Sequence, residues 1–139
     1  MLFQLHPQLA ADCIALGRFD LCRLLLMNDS QYPWFILVPE IADIREIFQL
    51  SKDQRGLLQE ESCFLAKQMS QLFNADKMNI AAIGNLVPQL HIHHVARYRN
   101  DKAWPAPIWG KFSPVPYTSG QLEERLNQVK ARLGPNLKV

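Results

Sequence analysis

The sequence has few of the features that mark a secreted, membrane-bound or nucleic-acid-binding protein. Its 139 residues include only three cysteines, an odd number with no Cys-x-x-Cys pair, which argues against a disulfide framework and a cysteine zinc site. The formal net charge is +2 without a run of lysine or arginine, so we expect no nucleic-acid partner. No apolar run approaches the ~18 residues of a membrane span, and the first residues do not resemble a signal peptide. We therefore expect a cytoplasmic protein with reduced thiols and no membrane partner.

The order of apolar patterns predicts a single α+β domain over residues 1–139. Its predicted elements are strands over 14–20, 22–27, 34–38, 77–83 and 89–97 and helices over 6–13, 51–74 and 118–133. Because the links between strands are short, we expect a mostly antiparallel meander of about five strands, one long helix across it and a C-terminal helix. Between the last strand and that helix, residues 98–117 are rich in proline, which predicts an ordered loop.

The most informative stretch is Pro-Gln-Leu-His-Ile-His-His-Val-Ala-Arg at 88–97, which contains three of the four histidines. Successive side chains of a strand point to opposite faces. One face would therefore carry His91 and His93, flanked by Gln89 and Arg97. Two imidazoles on one face are costly to bury without partners, so this face is predicted to bind or react with a ligand.

Two kinds of chemistry suit the pair His91 and His93. In the first, a His-x-His pair begins a metal site. Catalytic zinc usually takes three protein ligands, and the fold would have to supply the rest from His6, Asp12, Asp20 or Asp29. In the second, one imidazole attacks a phosphorus atom while its neighbours bind the phosphate oxygens. His94 points to the opposite face, and we expect it to pack beneath the long helix.

The segment Gly84–Arg97 resembles the signature of the histidine-triad (HIT) proteins, in which Gly-Gln-x-Val-x precedes His-φ-His-φ-His-φ-φ, with φ apolar. The preceding elements also follow the family's order: a strand ending in Asn28, an apolar strand ending in Val-Pro, a long helix and a further strand. This similarity covers about residues 10–97. The segment Trp-Pro-Ala-Pro-Ile-Trp-Gly at 104–110 looks like the tail of a bacterial branch of these proteins.

The resemblance implies cleavage or transfer at the α-phosphate of dinucleoside polyphosphates or nucleoside phosphoramidates, through a nucleotidyl-histidine intermediate. Alignment with the signature implies that His91 is the nucleophile and that His93 contacts the phosphate and the leaving group. It also implies that Asn28 lies near the ribose, although Asn28 could equally be a turn former, and that Asn85 lies near the phosphates. In this register Gln89 stands in place of the first triad histidine. The alternative register, with His91 first, His93 central and Val95 third, would shift the spacing from the glycine by two residues, so the first is preferred. Glutamine can orient an imidazole or a phosphate oxygen but cannot donate a proton by titrating near pH 7.

Arg97 is a candidate phosphate ligand or a solvated charge. The resemblance implies a homodimer with its sheets joined edge to edge, and no required cofactor or metal, although Mg²⁺ could accompany a polyphosphate substrate. Because Gln89 removes an acid–base group worth about 10²–10⁴ in rate, a nucleotide-binding module with little turnover is the alternative, and a metalloenzyme ranks third. Trp104 and Trp109 could cap the core or fold over the site.

Overall fold

The computed structural model describes residues 2–138 and confirms the α+β class, with a five-stranded antiparallel sheet and three helices. The strands are β1 (Cys13–Arg18), β2 (Cys22–Met27), β3 (Trp34–Pro39), β4 (Lys77–Ala81) and β5 (Ile92–Arg97). The helices are α1 (Pro7–Asp12), α2 (Lys52–Leu72) and α3 (Ser119–Leu133), with short 3₁₀ turns at Ile47–Gln49 and Gly134–Asn136. Within the described chain, no helix is long and apolar enough to cross a membrane.

The strand order is β1-β2-β3-β5-β4, so the predicted meander is wrong at its last two strands. The connection from β3 to β4 contains the 21-residue helix α2, which is long enough to carry the chain past the place that β5 later fills. Every residue of β5 is buried, whereas β4 has exposed residues along its length. The interior position of β5 thus accounts for its complete burial, and β4 forms an edge.

The position of β3 follows from its nearly continuous apolar sequence. Such a run predicts cover on both faces of a central strand. Phe35 and Leu37 pack in the main core together with buried residues of α2, while Ile36 and Val38 pack in a second cluster on the opposite face. The middle of the sheet is therefore a rigid support for side chains that β5 presents.

Helix α2 is fixed at its start and at its buried face. The hydroxyl of Ser51 accepts the Gln54 N–H, and the Gln54 side chain accepts the Ser51 N–H, so the two residues form a capping box. Further along, the buried carboxylate of Glu61 accepts the N–H groups of Leu21 and Cys22, each at 2.9 Å. These charge-assisted bonds hold α2 against the turn between β1 and β2.

The histidine-bearing strand begins at Ile92, later than predicted, and the residues just before it lie outside the ladder. On its inner face His94 is completely buried. The Nε2 of His94 is 2.7 Å from the Ser62 hydroxyl on α2, and its Nδ1 is 3.1 Å from the Ile92 carbonyl oxygen. The prediction that His94 packs beneath the long helix is confirmed.

Candidate active site

His91 is held by a hydrogen bond to the backbone just before it. Its Nδ1 lies 2.7 Å from the carbonyl oxygen of Gln89. Because a carbonyl oxygen only accepts, Nδ1 carries the proton and Nε2 keeps its lone pair in the neutral ring. Burial lowers the pKa of His91, the carbonyl bond opposes that effect, and the charge of His6 lowers the pKa further. The site therefore holds a neutral imidazole with one nucleophilic nitrogen.

His93 has the opposite tautomer. The indole Nε1–H of Trp34 donates to His93 Nδ1 at 3.0 Å, and an indole nitrogen can only donate. In the neutral ring the proton must therefore be on Nε2. Burial, together with the charges of His91 and His94, lowers the pKa of His93 to about 3. The His91 and His93 ring centroids are 4.9 Å apart, so a nucleophilic imidazole sits beside one that can donate a hydrogen bond.

The side chain of Gln89 binds the N-terminal segment. Its Oε1 accepts the His6 N–H at 2.8 Å, and its Nε2 donates to the Gln4 carbonyl at 2.8 Å. The His6 ring in turn accepts the Gln8 N–H and caps α1. The sequence did not predict that Gln89 binds the N-terminal segment. The one local sign is the His-Pro pair, which is typical of the start of a helix. The amide predicted to hold phosphate oxygens is thus largely committed to backbone groups.

Arg97 is buried away from the histidine pair, with 1% of its surface exposed. Its guanidinium donates to Asp101 at 2.8 and 3.1 Å, to the Asn79 side chain at 2.8 Å and to the Ala106 carbonyl at 2.8 Å. It also lies over the ring of Trp104, 5.5 Å from the centroid. Because these donors are used inside the protein, Arg97 organises the proline-rich loop and is not placed to bind the phosphate predicted for it.

A cavity of about 650 Å³, here named the tryptophan cavity, opens in front of His91 and His93. The two tryptophans of the proline-rich loop have different positions. Trp104 lies against Arg97, whereas Trp109 lines the cavity. The ring centroid of Trp109 is 5.5 Å from that of His93. Apart from the two histidines, the wall includes Leu9, Asp12, Met27, Asn28, Asp29, Tyr32, Trp34, Asn85, Val87, Ile108 and Trp109. Such a size and a largely apolar wall suit a small-molecule ligand.

The structure brings both predicted asparagines to the tryptophan cavity. The Oδ1 of Asn28 accepts the Tyr117 N–H at 3.0 Å, which leaves its amide N–H groups for other partners. Asn85 is exposed at the cavity mouth. The neighbouring Asp29 is buried and accepts the Val115 N–H at 3.3 Å. Asn28 thus lines the tryptophan cavity and also binds the backbone of Tyr117 through its side-chain oxygen.

Two donors in the wall of the tryptophan cavity were not predicted. The hydroxyl of Tyr32 and the Nε1–H of Trp109 are buried and have no hydrogen-bond partner among residues 2–138. Buried polar groups without a partner are rare and cost about 1–3 kcal/mol each.

A second cavity of about 840 Å³, here named the arginine cavity, meets the first at His91. Both cavities share Ile83, Gly84 and His91 in their walls. The rest of the arginine cavity is formed by Arg45, Glu46, Ile47, Phe48, Arg55, Ala82, Pro88, Gln89 and Leu90. Sequence reasoning predicted no site at these arginines. Over residues 2–138 no cluster of three or more His, Cys, Asp or Glu side chains could hold a metal ion.

Comparison with known proteins agrees with this geometry. The family described as HIT domain matches residues 8–100. A histidine triad protein from Marinobacter aquaeolei is 50% identical, covers 98% of this chain and 99% of its own, and superposes with a TM-score of 0.95. One from Sinorhizobium meliloti is 37% identical over 94% of this chain and 97% of its own, with a TM-score of 0.91.

More distant structures share the fold alone. Diadenosine triphosphate hydrolase from Plasmodium falciparum is 16% identical, with 99% of this chain and 86% of its own covered and a TM-score of 0.66. Comparison with curated proteins finds no match.

The buried histidines predict that acid destabilises the protein. The folded-state pKa values of His93 and His94 are about 3 and about 4, whereas an unfolded histidine binds its proton near 6.5. Between about pH 6.5 and pH 4 the unfolded chain binds more protons, so the free energy of unfolding falls as pH falls. We expect each of the two histidines to contribute a loss of about 1–2 kcal/mol between pH 7 and pH 5, measured by urea unfolding.

A His94→Gln variant provides the control, because it removes one of these groups. Its free energy of unfolding should change less between pH 7 and pH 5 than that of the native sequence. Equal stability of the native sequence at the two pH values would contradict the neutral, buried state of these rings.

Proposed function

This chain belongs to the HIT family, which contains nucleotide-binding proteins and nucleotide hydrolases, and we propose that it cleaves or transfers nucleotides at the α-phosphate through a nucleotidyl-His91 intermediate. One observation carries the proposal. The Nδ1–H of His91 is bonded to the Gln89 carbonyl, which leaves an unprotonated Nε2 on a ring that lines a ligand-sized cavity. That is the state in which an imidazole is a nucleophile near neutral pH.

In the first step the Nε2 lone pair of His91 attacks the α-phosphorus. The new N–P bond forms as the bond to the leaving group breaks, and the leaving group departs with the electron pair. A polyphosphate leaves as an anion, whereas an amine leaving group takes up a proton from solvent water as the bond breaks. The modified ring is cationic, and the Gln89 carbonyl stabilises it through the same Nδ1–H bond. His93 supports this step by donating its Nε2–H to a phosphate oxygen.

In the second step water attacks the phosphorus and the N–P bond breaks. The electron pair returns to Nε2, which restores the neutral imidazole, and the water gives up a proton as the nucleoside monophosphate leaves. Another acceptor in place of water makes the same step a transfer. These steps need no cofactor, although Mg²⁺ can neutralise the charge of a polyphosphate substrate.

The tryptophan cavity is the proposed nucleoside site. Trp34 and Trp109 give it aromatic surface, and the ring of Trp109 packs at an 88° angle against that of Trp34. Asn28 and Asn85 lie at its polar side, where a ribose and phosphates need hydrogen-bond partners.

The second candidate is a nucleotide-binding module with little turnover. We align Gln89 with the first triad histidine, and its amide is committed to the backbone of His6 and Gln4. No titrating group therefore stands at that position. If a proton must be transferred there, the rate falls by about 10²–10⁴ while nucleotide binding persists.

We also propose that the protein is a homodimer joined through β4. Of the two edge strands, β1 pairs at Arg18 with Lys138, whereas β4 is an edge with Ile80 49% exposed. Light scattering should give twice the mass of one 16.0-kDa chain, and Ile80→Lys should shift the equilibrium to monomers because charge on an edge strand opposes pairing. A monomeric native protein at micromolar concentrations would contradict the proposal.

The proposed intermediate is tested by incubating the protein with diadenosine tetraphosphate or an adenosine phosphoramidate, followed by rapid quenching and intact-protein mass spectrometry. The native sequence should gain the mass of one nucleotidyl group. His91→Ala should gain none and lose turnover, yet still bind AMP, because the tryptophan cavity remains.

His93→Asn is the matched control, since it changes a neighbouring histidine and keeps the nucleophile. It should still form the adduct, more slowly. An adduct that survives in His91→Ala and is absent in His93→Asn would assign the nucleophile to His93. Saturable AMP binding without adduct or product in the native sequence would favour the binding module.

A further inference from the structure

We propose that the arginine cavity binds the phosphate-bearing leaving half of the substrate, so that the protein prefers dinucleoside polyphosphates over nucleotides with small, uncharged leaving groups. This inference rests on the proposed function, because it takes the nucleoside to lie in the tryptophan cavity. It adds a site for the part of the substrate that the tryptophan cavity does not hold.

The two cavities meet at the proposed nucleophile, His91. His91, Ile83 and Gly84 form a wall of each, so the imidazole stands where the cavities meet. A substrate with its α-phosphorus at His91 Nε2 and its nucleoside in the tryptophan cavity still has one further substituent. The arginine cavity contacts the same imidazole and can receive that substituent.

The walls of the two cavities carry charges of opposite sign. The tryptophan cavity contains the carboxylates of Asp12 and Asp29 and no lysine or arginine. The arginine cavity contains Arg45 and Arg55 against the single carboxylate of Glu46, and so carries net positive charge. Phosphates beyond the α-phosphate are therefore favoured more by the arginine cavity than by the tryptophan cavity.

The two arginines of the arginine cavity, Arg45 and Arg55, use few of their N–H groups within the protein. Among residues 2–138, the side chain of Arg45 makes no hydrogen bond or ion pair, and Arg55 donates from one nitrogen to the Leu50 carbonyl. Most of their N–H groups therefore remain for a ligand. Guanidinium groups match phosphate oxygens with paired, charge-assisted hydrogen bonds.

The size and rim of the arginine cavity suit a whole second nucleotide. Its volume of about 840 Å³ exceeds the 650 Å³ of the tryptophan cavity, and both lie within the usual range of ligand sites. Phe48 at the rim is 76% exposed and Ile47 is 42% exposed. An exposed aromatic ring beside two arginines offers a surface on which a second base can stack.

The test compares two substrates that share the transferred nucleotide. Diadenosine tetraphosphate has an anionic leaving half, whereas adenosine 5′-phosphoromorpholidate has a small amine. Arg45→Gln should lower kcat/KM for the tetraphosphate by about 10-fold, the size expected for one hydrogen bond to a charged group, and change that for the morpholidate by less than about twofold. Lys67→Gln is the control, because it removes one exposed charge from α2 outside both cavities.

Binding of inorganic tripolyphosphate, measured by calorimetry, gives a readout that does not need turnover. The native sequence should bind it, and Arg45→Gln should bind it about 10-fold more weakly. This outcome would support the arginine cavity even if neither substrate were cleaved, which would count against the proposed function alone.

Three results would overturn the inference. One is an equal loss of activity on both substrates in Arg45→Gln. Another is tripolyphosphate binding that is absent, or that is unchanged by Arg45→Gln. The third is a change in the native mass of Arg45→Gln, which would make this face a contact between copies of the chain.

Discussion

The hydrogen bond from His91 Nδ1 to the Gln89 carbonyl is the constraint on which the site depends. It requires that carbonyl to be free of the sheet ladder, and the ladder between β3 and β5 ends at the Leu37–Ile92 pair. The backbone before Ile92 can therefore turn its oxygen toward the following imidazole. By fixing the proton on Nδ1, this bond determines which nitrogen reacts and later stabilises the charged ring.

The register between β3 and β5 determines the tautomer of His93. Ile36 of β3 faces His93, which places Trp34, two residues away, diagonally across the strand pair. The indole N–H then occupies His93 Nδ1 and leaves Nε2–H as a donor. Two histidines on one face of one strand thus have opposite tautomers, because one is bonded to a backbone acceptor and the other to a side-chain donor.

Much of this arrangement follows from local sequence. The alternation around the histidines predicted that His91 and His93 would lie together and that His94 would pack under α2. The Ser51–Gln54 spacing is typical of a helix start, and α2 begins there. What sequence reasoning missed depends on long-range contacts. The place of β5 between β3 and β4 depends on where the long connection through α2 takes the chain. The hydrogen bond from Arg97 to Asn79, the docking of the N-terminal segment by Gln89 and the arginine cavity all join segments whose contact no local pattern shows.

The tautomer of His91 is the central claim, and ¹⁵N NMR of the imidazole rings tests it most directly. The chain has only four histidines, and loss of a signal in His91→Ala assigns the ring. At pH 7 the account predicts a neutral His91 with a protonated Nδ1 and a bare Nε2, and a His93 with the reverse pattern. A His91 that is protonated on Nε2, or charged at pH 7, would contradict it.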